Sequence, residues 1–263
     1  MGQFKSGIIL KDRVFIPEYD SYTDMLEELG IEYNERNAEN TFIKAELIPK
    51  NNDVFSDVET WGFVVNQDIL PDWYVEEYDK KRMIRAVKDY AKTHIHMGLD
   101  FLHIERGTGH YIKDCENVII SKNAQVDIIC GNTSVYIITG SAKVYCIKDN
   151  VKIDMISGDA AIDYIKDRAE VNCVMFNARI NCMQDSAKIN KIIDNVIIDD
   201  IRGNAQINCA AGGSIIKRTN PWSPLNRNKL KLFDKAILID YYDEIIYQSG
   251  RLEYGNSNLS KED

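Results

Sequence analysis

The fold is decided by residues 124–213, which in blocks of nine read AQVDIICGN TSVYIITGS AKVYCIKDN VKIDMISGD AAIDYIKDR AEVNCVMFN ARINCMQDS AKINKIIDN VIIDDIRGN AQINCAAGG. The third residue is Val or Ile in all ten blocks, and the sixth is Ile in seven of them. The eighth residue is Gly or Asp in every block except the sixth, where it is Phe176. An unbroken period of this kind indicates a repeat protein, in which each repeat is one supersecondary unit.

Each block predicts one short β-strand followed by one corner. Its first four residues run small, polar, β-branched and polar, which is typical of a strand with one buried face. The following Gly or Asp, with Asn, Asp or Ser after it, is turn chemistry, because these residues tolerate positive φ angles. One such strand cannot bury its apolar side alone. We therefore expect a mainly β fold, a parallel β-solenoid in which two nine-residue repeats face each other in each coil.

A coil of three repeats is the geometric alternative to a coil of two. The first position of the block is Ala in seven of ten repeats, and such a small residue favours the narrower two-strand section. The two-strand coil predicts that residues 18 apart stack directly on one another. On that model Asn172, Asn190 and Asn208 form a ladder on one outer face.

The flanking residues predict caps for the two ends of the coil, where a row of unpaired backbone groups would otherwise be exposed. Residues 1–100 are expected to form a small acidic α+β domain, with helices at 21–31 and after Pro71 and strands at 41–50 and 61–70. The other predicted boundaries are a transition at 101–123, the solenoid at 124–220, a C-terminal cap of one or two strands at 221–254, and a mobile tail at 255–263.

The composition, 44% hydrophobic and 28% charged over 263 residues, is that of a globular protein. No apolar run approaches the ~20 residues of a membrane helix, and the first residues lack the apolar core of a secretory signal. The six cysteines form no CxxC pair, and four of them occupy position five of the repeat, which indicates packed free thiols. We therefore expect a cytoplasmic protein without a membrane span.

The net charge of −9 is concentrated at the N-terminus, since residues 1–100 carry 20 Asp and Glu against 12 Lys and Arg, a net −8. There Asp20, Asp24, Glu27 and Glu28 begin an acidic run that imitates the charge of nucleic acid and is expected to contact a basic protein. The second expected partner-binding surface is a basic stretch near the C-terminus, with the candidate residues Trp222, Arg227, Lys229, Lys231 and Phe233. The alternative for both stretches is an ordinary solvated surface. Direct binding to nucleic acid is not expected of so acidic a chain.

No catalytic or cofactor motif stands out, so we expect a non-enzymatic protein without a cofactor. His94 and His96 would share one face of a strand, but no Cys or carboxylate cluster lies at ligand spacing beside them. The corners also lack the GGxGxD sequence of the calcium-binding nonapeptide repeats. No bound metal is therefore expected.

Position four of the repeat is the candidate position for an enzymatic function, because its side chains are expected to point outward. Its aspartates are Asp127, Asp154, Asp163 and Asp199. Enzymes that cleave glycosidic bonds use two carboxylates ~5–10 Å apart, a spacing that such a face can provide. Tyr136 and Tyr145 occupy the same position and are candidates for stacking on a ligand. The alternative is that all of these residues simply cover a sheet.

Three segments carry a resemblance to a known group of proteins: GIILKDRVFIPEYDSYTDMLEELGI, then VFSDVETWGF with DILPDWYVEEY, and GTGHYIKDCENVII at the entry to the repeat. In these segments the chain resembles nonapeptide-repeat β-solenoid proteins of Firmicutes prophages and other gut mobile elements. The resemblance covers most of the chain. It implies a bacterial host cytoplasm and an accessory role, and it implies no site residues.

The expected function is accordingly that of a solenoid binding protein that acts through protein–protein contacts. Inhibition of a host defence system, such as a CRISPR effector, is the instance that the resemblance favours, and the expected partner is a nucleic-acid-binding host protein. Two alternatives remain open. One is a structural or assembly protein that forms homo-oligomers, and the other is a carbohydrate-active β-solenoid enzyme.

Overall fold

The computed structural model describes residues 4–227, 229–249 and 251–254. The chain divides into an N-terminal unit, residues 1–96 with 108–111, and a solenoid unit, residues 97–107 with 112–263. The predicted mobile tail at 255–263 lies outside the described residues.

The N-terminal unit is an antiparallel sheet with helices on both faces. Its elements are β1 (Lys5–Leu10), β2 (Val14–Phe15), α1 (Tyr22–Glu28), α2 (Glu35–Asn40), β3 (Phe42–Ile48), β4 (Gly62–Val65) and α3 (Glu76–His94), with 3₁₀ turns at Lys50–Asn52 and Val58–Thr60. The strand order is β2-β1-β3-β4. Ser21 caps α1 by accepting a hydrogen bond from the Asp24 N–H, as its position before the helix predicts. The four predicted elements are all confirmed.

The side chains of β1 and β3 point alternately to the two faces of the sheet, which explains the two apolar layers of this unit. Ile9 and Ile43 face the side on which Met83 of α3 packs. Their neighbours Ile8 and Phe42 face the opposite side, where Met25 and Leu26 of α1 pack. Because successive strand residues point to opposite faces, both layers come from the same short apolar runs.

The solenoid unit is built from strands that alternate between two sheets. The strands are β5 (Ile95–Met97), β6 (Leu102–Ile104), β7 (His110–Lys113), β8 (Val118–Ile120), β9 (Gln125–Cys130), β10 (Ser134–Ile138), β11 (Lys143–Ile147), β12 (Lys152–Ile156), β13 (Ala161–Ile165), β14 (Glu170–Val174), β15 (Arg179–Met183), β16 (Lys188–Ile192), β17 (Ile197–Ile198), β18 (Gln206–Ala210), β19 (Ile215–Arg218), β20 (Lys231–Leu232), β21 (Ile237–Asp240), β22 (Ile245–Gln248) and β23 (Arg251–Tyr254), with the helix α4 (Pro224–Arg227) before β20. Even-numbered strands from β6 to β20 form an eight-stranded sheet, and the odd-numbered strands lie in an eleven-stranded sheet whose far end is β21-β22-β23. The pairing from β6 and β9 to β20 and β21 is parallel.

The register confirms the coil of two repeats. Val135 pairs with Ile153 and Val144 with Ile162, so residues 18 apart stack in each sheet. All ten third-position residues and all ten sixth-position residues are at most 2% exposed. The first-position alanines are fully buried, because the two sheets approach each other closely where the side chain is small.

The corners adopt the predicted turn conformation at every repeat. All ten eighth-position residues have positive φ, from 57° at Asp167 to 74° at Gly140. A corner carboxylate also accepts a hydrogen bond from the backbone N–H one coil earlier. Gly131 N–H donates to Asp149 Oδ2 at 2.9 Å, and Asp149 N–H donates to Asp167 Oδ2 at 3.2 Å. Aspartate thus supplies both the backbone conformation and a bond between coils.

The parallel ladder is longer than the recognisable repeat. It begins upstream of Ala124, since β6 already pairs with β8, and it continues beyond Pro221 and Pro224 into β20 and β21. Residues 229–249 form the three strands β20, β21 and β22 rather than one or two. Stacking on an existing edge needs only matched backbone groups, so irregular sequence can extend the ladder at both ends.

Candidate functional site

The acidic helical surface consists of exposed carboxylates on α1, on α2 and between them, namely Asp24, Glu27, Glu28, Glu32, Glu35 and Glu39. The helix α1 turns Met25 and Leu26 onto the sheet. Its remaining residues therefore face outward, which is the expected division of an amphipathic helix. Arg36 is the one Lys or Arg between residues 21 and 40.

The negative charge of this surface is not neutralised by the described residues. None of its six carboxylates lies within 4.0 Å of a described Lys or Arg nitrogen, whereas several other carboxylates of the chain do. Glu28 accepts a short hydrogen bond from the Tyr19 hydroxyl. That bond, with burial and the nearby charges of Glu28 and Asp24, raises the pKa of Tyr19 to about 12. Glu28 and Asp24 therefore disfavour a further negative charge beside them.

Asp20 differs from its acidic neighbours because it holds β1 in place. Its Oδ1 atom accepts hydrogen bonds at 3.0 Å from both Lys5 Nζ and the Ser6 N–H. Lys5 is only 5% exposed, so this ion pair satisfies a buried cation. Of the four acidic candidates, Asp24, Glu27 and Glu28 are thus brought together on an exposed surface, and Asp20 has a structural partner.

The candidate residues of the C-terminal basic stretch differ in their exposure to solvent. Trp222 is 3% exposed and its indole N–H donates a 2.6 Å hydrogen bond to the Ala205 carbonyl, which does not fit a contact with a partner. Its aromatic character suggested a surface anchor, but its ring lies in the apolar core of the solenoid. Lys229, Lys231 and Phe233 are exposed.

Arg227 belongs to an ion-pair cluster that the sequence did not reveal. Its guanidinium bonds Asp243 and lies 3.3 Å from Asp240 Oδ2. Arg218 Nη1 binds the same two carboxylates at 2.6 and 2.7 Å. The side chains of Arg218 and Asp240 are 5% and 0% exposed. These four residues hold the C-terminal turn to the last coils, with Arg218 also over the Tyr242 ring.

Three of the four histidines meet in the N-terminal unit. His94 stacks between Tyr90 and His110, with ring centroids 3.8 and 5.1 Å away, and His96 Nε2 lies 3.3 Å from His110 Nδ1. That pair of nitrogens has the geometry of an N–H···N hydrogen bond, which needs a single proton. Burial, followed by the proximity of His110 and His94, lowers the pKa of His96 to about 4. The described residues hold no group of three or more His, Cys, Asp or Glu that fits a metal ion.

No two position-four aspartates lie in adjacent coils of one sheet. Asp154 lies in β12 of the eight-stranded sheet, whereas Asp127 and Asp163 lie in the other sheet, two coils or roughly 10 Å apart. Asp199 accepts hydrogen bonds from Arg179 and Lys217. Burial acts to raise the pKa of Asp199, but these two bonds outweigh it and lower the pKa. A general acid for glycoside cleavage needs the opposite shift.

The two candidate stacking tyrosines are exposed on opposite sheets. Tyr136 lies on β10 and is 62% exposed, and Tyr145 lies on β11 and is 57% exposed. Tyr145 packs edge-on against Tyr164, with ring centroids 5.6 Å apart. They therefore cannot stack on one ligand together.

A cavity of about 540 Å³ lies in the N-terminal unit beside α2 and the β3–β4 edge. Lys44 reaches into it, with Nζ 3.1 Å from the Tyr33 hydroxyl and 4.8 Å from the Tyr33 ring centre. Its described lining has amides, carboxylates and apolar side chains, and it has no Ser, Cys or His that would act as a nucleophile or base.

No helix in the described part of the chain is both long and apolar enough to cross a membrane. No protein-family model, curated protein or solved structure matches the chain.

Proposed function

We propose that the chain is a non-enzymatic binding protein whose acidic helical surface occupies a basic surface on a protein partner. The observation that carries the proposal is the set of six exposed carboxylates with no described ion-pair partner. Charges that are already paired within one molecule attract a partner weakly. Unpaired charges of one sign speed association and favour a partner of the opposite sign.

The partner class follows from this charge and from the resemblance to prophage proteins. A negatively charged surface repels nucleic acid, but for the same reason it can bind in a basic protein groove that normally holds nucleic acid. We place the chain in a bacterial cytoplasm, where a host defence nuclease such as a CRISPR effector has such a groove. Its action there would be inhibition by occupancy, which requires no catalytic group.

Carbohydrate cleavage is less well supported. Its best acidic candidate, Asp199, has a lowered pKa and two cationic partners, and the described position-four residues offer no close carboxylate pair. The position-four residues are better explained as a hydrogen-bonded outer layer, since Asp163 also accepts a bond from the Asn181 amide.

The test compares two variants of the full chain that lose the same charge from different surfaces of the N-terminal unit. In the first, Asp24→Asn, Glu27→Gln, Glu32→Gln and Glu35→Gln neutralise the acidic helical surface. In the matched control, Asp12→Asn, Asp72→Asn, Glu76→Gln and Glu77→Gln neutralise four other exposed carboxylates. Each variant is used as bait in a bacterial lysate at low and high salt, and the captured proteins are quantified by mass spectrometry.

The proposal expects one basic protein that the wild type and the control capture equally, and that the first variant captures about tenfold less. Capture should weaken with salt, because exposed charges are screened, and nucleic acid should compete for the captured protein. Equal capture by both variants, or capture that nucleic acid does not affect, would contradict the proposal.

A further inference from the structure

The outer face of the eight-stranded sheet carries three columns of outward side chains, at positions two, four and five of the repeat. Positions three and six both point into the core, so two consecutive residues, four and five, must lie on the outside. Position five is therefore half-buried rather than fully exposed. This gives the face a semi-apolar column that a simple alternating strand would not have.

The position-five column is apolar over four adjacent coils. It consists of Ile119, Ile137, Met155 and Cys173, which are half-buried and stack in register. Tyr136, beside Ile137, is 62% exposed. An apolar strip on an otherwise polar sheet is typical of a contact surface.

Charged residues beside this strip are left without partners. Lys152, Glu170 and Lys188 are neighbours in register at position two. Although opposite charges alternate along this column, none of the three side chains forms a hydrogen bond or ion pair with a described residue. On the other sheet, by contrast, Asp199 bonds both Arg179 and Lys217. Lys152, Glu170 and Lys188 are therefore available for contacts outside the chain, whereas Asp199 is not.

The pattern on the eight-stranded sheet is self-complementary under a two-fold rotation. We propose that this face binds a second copy of the chain, with the two-fold axis along the strands and midway between β12 and β14. The rotation reverses the order of the coils but keeps each repeat position opposite itself. Lys152 then faces Glu170 of the partner subunit, and the partner subunit's Lys152 faces Glu170, which gives two equivalent ion pairs.

The same rotation matches the centre of the apolar strip, whereas Ile137 lies opposite Lys191 of the partner subunit. Met155 lies opposite Cys173 of the partner subunit. Tyr136 lies opposite the partner subunit's Asn190 and Lys191, where the ammonium group of the lysine can lie over the tyrosine ring. A two-fold axis along the solenoid would instead keep each coil opposite itself and reverse the strand direction, so Lys152 would face a residue of the partner subunit's β12 and not the partner subunit's Glu170. The axis along the strands is therefore the one that forms both ion pairs.

The area of the eight-stranded face sets the expected affinity of the dimer. Five of the eight strands have five residues and the other three have two or three, so strands about 4.8 Å apart with residues of ~3.3 Å give a face of at most about 34 by 16 Å. Two such faces bury on the order of 1,000 Å² in total, which is the lower limit for a specific complex. We therefore expect dissociation in the micromolar range.

The test exchanges the charges of Lys152 and Glu170. The dissociation constant of the dimer is measured by analytical ultracentrifugation of the full chain from about 1 to 200 μM. Lys152→Glu alone, or Glu170→Lys alone, should weaken the dimer at least about tenfold, because each places two like-charged pairs across the axis. The double variant restores both pairs and should return to within about threefold of the wild type. A mixture of the two single variants should form the heterodimer preferentially. Lys143→Glu, on the other sheet, is the matched control and should have no effect.

A second measurement does not depend on charge. Tyr136→Cys and Asn190→Cys variants, made with Cys173 and Cys209 replaced by serine, should be cross-linked by a short thiol reagent only when the two are mixed. The proposal is overturned by a monomer at all concentrations, by a trimer, by a dimer that is insensitive to Lys152→Glu and Glu170→Lys, or by one that Lys143→Glu disrupts. Thermal unfolding of each variant checks that the solenoid still forms.

Discussion

The side-chain amide of Asn208 donates a 3.0 Å hydrogen bond to Oδ1 of Asn190, which lies 18 residues earlier in the chain and one coil below it. The bond exists because the parallel register places identical repeat positions directly above one another. It joins coils through side chains in addition to the backbone ladder. Asn172 continues the same column on β14.

We predict that Asn190→Ala, which removes only this side-chain bond, lowers the free energy of unfolding by about 1 kcal/mol, the net value of one hydrogen bond. Asn172→Ala is the matched control, since its amide forms no side-chain hydrogen bond with a described residue, and it should cost less. Urea unfolding followed by circular dichroism measures both. Equal losses for the two variants would show that the Asn208 bond contributes nothing.

Phe176 is the one eighth-position residue that is neither Gly nor Asp, yet it has φ of 61° and is 55% exposed. A bulky side chain in this left-handed region costs about 1–2 kcal/mol. We predict that Phe176→Asn stabilises the solenoid by about 1 kcal/mol and raises its unfolding temperature by about 2–4 °C.

Asp185→Phe is the converse variant. It places the same bulky residue at φ of 59° and removes the carboxylate that accepts the Asp167 N–H. It should lower the unfolding temperature in the same calorimetric experiment. An unfolding temperature for Phe176→Asn at or below that of the wild type would contradict the assignment of strain to Phe176.

The pair of Arg218 and Asp240 should be among the most sensitive positions of the solenoid unit, because both side chains are almost completely buried. Asp240→Ala leaves the buried Arg218 with Asp243 alone and is expected to cost about 3–5 kcal/mol. Arg179→Met breaks a more exposed pair with Asp199 and should cost about 0–1 kcal/mol. Urea unfolding of the two variants measures the difference, and comparable losses would contradict it.

His96 should make the N-terminal unit less stable in acid. Its folded pKa of about 4 lies below the unfolded value of 6.5, so the unfolded chain binds the proton first as the pH falls. The free energy of unfolding is therefore unaffected above about pH 6.5 and decreases from there to about pH 4, by about 1–2 kcal/mol for a partly exposed ring.

Hydrogen exchange of α3, corrected for intrinsic rates at each pH, measures this loss. His96→Gln cannot take up a proton and should flatten that part of the profile. An unchanged profile in His96→Gln would assign the acid sensitivity to another group.

The candidate surfaces were predictable only in part. The acidic run that includes Asp24 and Glu27 was evident because local helices leave such residues exposed. The burial of Trp222 was not, since nothing local indicates that the solenoid core continues beyond the recognisable repeat. The meeting of His96 with His110 depends on a pairing between distant segments. The sequence did not show that Lys152 and Glu170 are neighbours on one sheet and lack partners, because this depends on the register of the strands.

The sequence by itself determined that residues 124–213 form a β-solenoid, because position three of every repeat is Val or Ile, most first positions are Ala and nearly every corner is Gly or Asp. These are local requirements of strand and turn, repeated in ten blocks, whereas the register of the structure decided for two repeats in each coil over three. Only the tertiary structure decided where the stack begins and ends, which side chains plug it, and which charges remain unpaired. Those outcomes depend on contacts between residues 18 or more apart, whose free energy no single stretch of sequence contains.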